Sequence, residues 1–258
     1  MANNDRVRVR GVTIHRPIIY GNTATVLTEK EKETLPTDHT HRWTVAVRSA
    51  ASAPDSDIVG GADDLSYFIK RVTFKLHETY PNPNRVLDKP PFEVTETGWG
   101  EFEIAIKILF LSDSGEKTMT FYHHLKLHPW TLVTGPDVEI PTPEVAAKLG
   151  PVHSWQYDEI VFNDPFQSFL NLLTAHPPTS LPKIKRRPVP FHTADPSSLE
   201  ASKGGVPEFQ QEMEKEEGER LEKALKTIIE DTHKWRNKLI ECEKEANRLK
   251  KDLDAFQS

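Results

Sequence analysis

The 258-residue chain carries a formal net charge of −6, with 39 acidic against 33 basic side chains and a single cysteine, Cys242. One cysteine excludes an internal disulfide framework and fits a reducing compartment. No apolar run approaches the ~20 residues that span a bilayer, and residues 1–6 lack the apolar core of a signal peptide, so neither a membrane association nor a leader is expected.

The acidity sits in residues 1–182, which hold 23 acidic and 17 basic side chains. That balance argues against a binder of nucleic-acid backbone and suits either a basic peptide partner or plain solubility.

Residues 13–163 read as short strands broken by Pro, Gly, Asn and Asp. Trp43, Val45 and Val47 share one face, and Val72, Phe74 and Leu76 share the next. Phe102, Ile104, Ile106, Ile108 and Phe110 form the longest run of period two. Met119, Phe121, His123, Leu125 and Leu127 follow, and Trp155, Tyr157, Ile160, Val161 and Phe162 close the series. Strands at this spacing without helices between them predict an all-β antiparallel sandwich. Two stretches, 29–38 and 49–64, are polar or small in character and are expected to be mobile surface loops. The run Asn163-Asp164-Pro165-Phe166 is expected to start a helix, with an Asx cap and Pro at the first helical position. Phe166, Phe169, Leu170 and Leu173 would pack that short helix over one end of the sandwich, and Pro177-Pro178 would end it.

Residues 177–207 are rich in Pro, Ser and Gly and read as a flexible linker. Lys183, Lys185, Arg186 and Arg187 form a basic cluster within it, a candidate nuclear import signal. From about residue 208 the pattern changes. Leu221, Leu225, Ile228, Thr232, Trp235, Leu239, Cys242, Ala246, Leu249, Leu253 and Phe256 keep an unbroken 4-3 spacing, which predicts a coiled-coil helix over 208–258. Trp235 is bulky for a dimer seam, so a partner subunit of different sequence is expected. A helix folded back on its own sandwich is the alternative.

Two loops carry the candidate chemistry. One is Leu76-His77-Glu78-Thr79-Tyr80-Pro81-Asn82-Pro83, and the other is Glu96-Thr97-Gly98-Trp99-Gly100-Glu101-Phe102. Tyr80 and Trp99 offer two rings, Thr79 a hydroxyl, and Gly98 and Gly100 a close backbone approach. This set suits recognition of a flat neutral amide better than attack on one. On the bland reading, Tyr80 covers a sheet edge and Trp99 is core. Trp43 and Phe102 alternate with other apolar residues and read as core.

His39-Thr40-His41-Arg42-Trp43-Thr44-Val45, the two loops just quoted, Lys89-Pro90-Pro91-Phe92, Phe121-Tyr122-His123-His124-Leu125 and Tyr157-Asp158-Glu159-Ile160-Val161-Phe162 together resemble the YEATS domain family over residues 8–176. The resemblance implies an immunoglobulin-like sandwich that reads acylated lysine on histone tails. It places His77, Thr79, Tyr80, Gly98, Trp99 and Gly100 in the acyl-lysine pocket, with His39, Phe102 and His124 at its rim. It also implies a nuclear chromatin-complex subunit, with no catalytic residue, no metal, no cofactor and no sequence-specific nucleic-acid binding.

In such a pocket Tyr80 and Trp99 would cover the two faces of the amide, Thr79 would accept its N–H, the Trp99 backbone N–H would donate to the acyl oxygen, and His77 would orient Thr79. His39, when protonated, would meet an acidic acyl chain. Two other classes stay open. The chain is an assembly subunit that works mainly through its helix, or a metal-dependent enzyme using His39, His41, His123 or His124 as ligands.

Overall fold

The computed structural model describes residues 7–54, 56–128, 142–183 and 208–257. The chain divides into two compact units, Met1–Gln211 and Glu212–Ser258.

Among the described residues of the first unit eight strands form two antiparallel sheets: β1 (Thr13–Val26), β2 (His41–Ser49), β3 (Ile69–Lys75), β4 (Asn84–Leu87), β5 (Glu93–Gly98), β6 (Glu103–Phe110), β7 (Met119–His124) and β8 (Val152–Asn163). The sheet orders are β5-β2-β1-β8 and β4-β3-β6-β7. This is the expected immunoglobulin-like sandwich. The alternating residues face inward as predicted. Trp43, Val45, Val47, Val72, Phe74, Leu76, Ile104, Ile106 and Ile108 are all buried in one core between the sheets. Each fully buried isoleucine contributes about 1.5–3 kcal/mol of transfer free energy. A one-residue slip of β6 would turn its three isoleucines to solvent, so register is firmly set.

Three expectations need correction. The 29–38 stretch is not all loop: it opens with a single helical turn, α1 (Glu29–Lys32), whose Glu31 carboxylate accepts the Thr28 N–H at 2.8 Å and pairs with Arg42. The 49–64 stretch is a surface loop only in part: Ala53, Pro54, Asp57 and Ile58 are exposed, but its two ends pack down. Ala50, Ala51, Ser52 and Val59 are buried, and Gly61 N–H donates to Ser49 O at 2.8 Å. This segment lies on the outer face of the first sheet, where Gly60 rests against Ile19 and Arg48 donates to Val59 O. Arg48 also sits over the Trp155 ring at 5.1 Å and pairs with Glu93. Small side chains here serve close packing against a sheet.

The third correction concerns the helix after β8. A second short helix, α2 (Pro143–Leu149), precedes that strand; α3 (Gln167–Ala175) follows it, beginning later than expected. Asp164 does not cap α3. Its side chain accepts the Gly11 N–H at 2.7 Å, and Phe166 takes the cap position without a side-chain bond. Phe169 and Leu173 are buried against the core, so α3 does cover one end of the sandwich. The buried Arg16 secures its C-terminus by donating to the carbonyls of Leu173 and His176 and to the Tyr67 hydroxyl, a position where a cation also meets the negative end of the helix dipole.

The start of the expected linker is anchored. Thr179 donates both its hydroxyl and its N–H to the Asp63 carboxylate, at 2.6 and 3.1 Å, and Leu181 is buried. Phe209 is buried too, beside Tyr157. Asp63→Ala is expected to lower stability by about 1 kcal/mol and to speed amide exchange of residues 177–182, read by hydrogen exchange with a urea titration. Lys185, Arg186 and Arg187 of the basic cluster lie outside the described residues.

The second unit is one helix, α4 (Gln211–Gln257). Leu225, Ile228, Trp235, Leu239, Leu249 and Leu253 of its 4-3 stripe are 56% to 62% exposed, and Cys242 is exposed as well. The Phe256 side chain falls outside the described residues.

Candidate functional site

The two singled-out loops meet at the end of the sandwich away from α3. One is the β3–β4 connection, and the other closes β5 and turns into β6. Leu76 N–H donates to Pro83 O at 2.8 Å and Tyr80 N–H to His77 O at 3.1 Å, so the first loop is a closed turn. Residues 96–98, read as loop, are the last residues of β5, where Gly98 pairs with His41 of β2.

Tyr80 is half-buried. Its ring packs edge-on against Trp43 at 5.8 Å and beside Phe102 at 5.6 Å, and its hydroxyl donates to Thr97 O at 3.2 Å. Burial raises the pKa of that hydroxyl, which keeps it a donor. Gly98 makes this packing feasible, because a Cβ there would stand 2.3 Å from the Tyr80 hydroxyl oxygen. Gly100 has open space around it. Trp99 lies between the two glycines and is 64% exposed, which excludes the reading of Trp99 as core. Phe102 is half-buried and touches Trp43, Tyr80 and His77, so it is both the edge of the core and the floor of this end.

His77 and Thr79 are exposed on the first loop. His77 Nδ1 lies 3.0 Å from Thr79 Oγ1 and 3.4 Å from the Thr79 backbone nitrogen. With Nδ1 accepting the Thr79 hydroxyl proton, the Thr79 oxygen keeps its lone pairs available to accept an N–H. His39 reaches the same end, with Nδ1 2.7 Å from Thr97 Oγ1. His124 is exposed at the end of β7, 4.0 Å from Glu101. The structure thus brings all nine singled-out residues to one end.

Residues not singled out tie this end together. Thr97 links both loops, through its carbonyl to Tyr80 and its hydroxyl to His39. Glu101 accepts the backbone N–H groups of Leu127 and His128 at 2.8 and 3.2 Å and pairs with Lys126 at 2.9 Å. Burial alone would raise its pKa, but the Lys126 ammonium and the two N–H groups outweigh it and hold the carboxyl below its ordinary value.

Behind them Asn22, fully buried, donates to Lys126 O and accepts from Lys126 N–H and from His123 Nε2. Nothing in a period-two reading marks an asparagine as a strut between sheets. The only signal was a polar side chain in an otherwise strand-like run.

The histidines do not assemble as ligands. His123 and His124 point to opposite faces, as their adjacency on a strand requires. His41 is buried edge-on to His128 at 5.0 Å, and burial with the neighbouring His128 charge pulls its pKa down to about 4. Among the described residues no group of three or more His, Cys, Asp or Glu is placed to hold a metal ion.

Comparison with known proteins gives likenesses of three kinds. The YEATS family model matches residues 38–129. A protein named AF-9 homolog from Cryptococcus neoformans var. neoformans serotype D is 34% identical, over 96% of this chain and 98% of its own length. Two solved structures are similar over the sandwich. Yeast AF-9 homolog protein Yaf9 is 42% identical over 67% of this chain and all of that one, with a TM-score of 0.52. The Yaf9 YEATS domain bound to H3K27ac is 44% identical over 66% of this chain and 99% of that one, with a TM-score of 0.51.

Proposed function

The chain belongs to the YEATS family, and on that premise we propose that it is a non-enzymatic reader of acylated lysine on histone tails, acting in the nucleus as a subunit of chromatin-remodelling and acetyltransferase complexes. The relative bound to H3K27ac supports the ligand class. The observation that supports the reading here is that an exposed Trp99, a Tyr80 held by Trp43, Phe102 and Thr97, and the hydrogen-bonded His77–Thr79 pair come to one end of the sandwich.

An acylated lysine ends in a planar amide with one N–H and one C=O. In the proposed site its faces meet the Tyr80 and Trp99 rings, each contact worth about 0.5–1.5 kcal/mol beyond burial. Thr79 accepts the amide N–H, and the backbone N–H of Trp99 donates to the acyl oxygen. A bare ammonium has donors only, so it meets the Trp99 N–H donor to donor and loses hydration that the rings replace incompletely. Cation–π attraction opposes this by up to ~2 kcal/mol.

Acetylated and unmodified histone H3 peptides titrated calorimetrically into the full chain are expected to differ by at least about tenfold in Kd. Equal affinities would remove the reading. The exposed stripe on α4 favours a second role beside the first, pairing with a helix of another subunit. Deleting residues 212–258 is expected to abolish that pairing and leave peptide affinity unchanged.

A further inference from the structure

Resting on the acyl-lysine reading above, we infer that Glu101 is a positioning residue. Its carboxylate clamps the 99–102 turn against residues 125–128 and so fixes the attitude of the Trp99 ring.

Trp99 needs such a device because little else holds it. Its ring is largely exposed, and Gly100 beside it has no neighbour within 4 Å of where a Cβ would stand. The turn is tied down on its N-terminal side by Thr40 N–H, which donates to Gly98 O at 3.1 Å. On its C-terminal side Leu125 N–H donates to Phe102 O at 2.8 Å. Between those two ties stand Trp99, Gly100 and Glu101, and Glu101 alone sends a side chain into a set of converging donors.

One carboxylate oxygen takes the N–H groups of Leu127 and His128, and the other takes the Lys126 ammonium. Charge-assisted bonds of this kind are about twice as strong as neutral ones.

The far jaw of the clamp is rigid. Leu125 and Leu127 are fully buried, and Lys126 is held through both its backbone N–H and its carbonyl by Asn22. Glu101 therefore transmits the position of the core to a turn that Gly100 would otherwise leave free. Without it, Trp99 would have to be ordered at the moment of binding, and that ordering free energy would be subtracted from affinity.

The test uses the full-length chain as wild type, Glu101→Ala, Glu101→Gln and Lys126→Met. Two readouts are taken: Kd for an acetylated histone H3 peptide, and the 15N order parameter of the Trp99 indole, assigned with Trp99→Phe. Glu101→Ala is expected to bind about tenfold more weakly, with the indole order parameter falling from the rigid range near ~0.85 toward ~0.6. Glu101→Gln keeps an oxygen for both backbone N–H groups and is expected to return to within about threefold of wild type. Lys126→Met removes one of the three donors and is expected to cost about threefold, which carries the same test should the alanine variant misfold. An unchanged Trp99 order parameter in Glu101→Ala, or a glutamine variant as weak as the alanine one, overturns the clamp. If wild type fails to prefer the acetylated peptide, the reader assignment falls, and the indole measurement still decides whether Glu101 holds Trp99.

Discussion

Gly98→Ala is expected to weaken acylated-peptide binding by more than about tenfold while the sandwich stays folded. The new Cβ would stand 2.3 Å from the Tyr80 hydroxyl oxygen, a distance real contacts do not reach. Tyr80 has no room to retreat inward, because Trp43 and Phe102 already pack against its ring at 5.8 and 5.6 Å. It must swing outward, lose its bond to Thr97 O, and enter the space the acyl group would use. The loss of one half-buried hydrogen bond costs about 1 kcal/mol of stability, far less than unfolds a domain.

Two controls separate contact from turn flexibility. Gly100→Ala meets nothing within 4 Å and is expected to change Kd by less than about twofold. In Gly98→Ala with Tyr80→Phe the clashing oxygen is gone and the nearest ring atom would lie 3.5 Å away, so affinity should recover to that of Tyr80→Phe alone. Equal damage from Gly98→Ala and Gly100→Ala would sink this account.

The second large effect is on stability below neutral pH. His123 is 1% exposed and donates from Nε2 to Asn22, whose oxygen also takes the Lys126 N–H, so of the two neutral tautomers the Nε2–H form is the one that fits. Burial, helped by the charges of His124 and Lys126, lowers its pKa to about 3. Since the folded pKa lies below the unfolded value of ~6.5, the unfolded chain takes up a proton that the folded chain refuses. The contribution is complete above pH ~6.5 and is lost progressively as pH falls toward 3. At pH 5 the loss from His123 amounts to about 2 kcal/mol relative to pH 8.

His41, lowered to about 4 by burial, adds to the same slope. Urea unfolding at pH 8 and pH 5 should therefore show a smaller pH effect in His123→Gln, by about 2 kcal/mol. Glutamine keeps a donor for Asn22 but does not titrate. An identical pH effect in the two proteins would show that His123 already accepts its proton in the folded state.

Acid sensitivity and the proposed acyl-lysine site meet in one place. His123, Asn22 and Lys126 form the base on which Glu101 rests, so mild acidification is expected to loosen this end before the α3 end. The strut joins β1 to β7 and so links the two sheets through a polar contact. A buried polar network of this kind is stable only while every member is satisfied.

Period two was enough to mark five of the eight strands, β2, β3, β6, β7 and β8, because a pleated strand sends alternate side chains to opposite sides whatever surrounds it; β1, β4 and β5 were not among the runs it marked. The same local logic placed Tyr80, Trp99, His77 and Thr79 on loops at a sheet end, and the 4-3 spacing marked α4. Tertiary structure alone decided which small or polar residues matter, since their roles depend on neighbours distant in sequence. Ala51 and Ser52 read as solvated but are buried on the first sheet; Asp164 reads as a helix cap but bonds Gly11. Tyr80 reads as one wall of a free slot but is pinned to Thr97, and Glu101 finds its donors some 25 residues on. Hydrophobic alternation is a property of one strand, whereas a hydrogen-bond partner is a property of the assembled sheets.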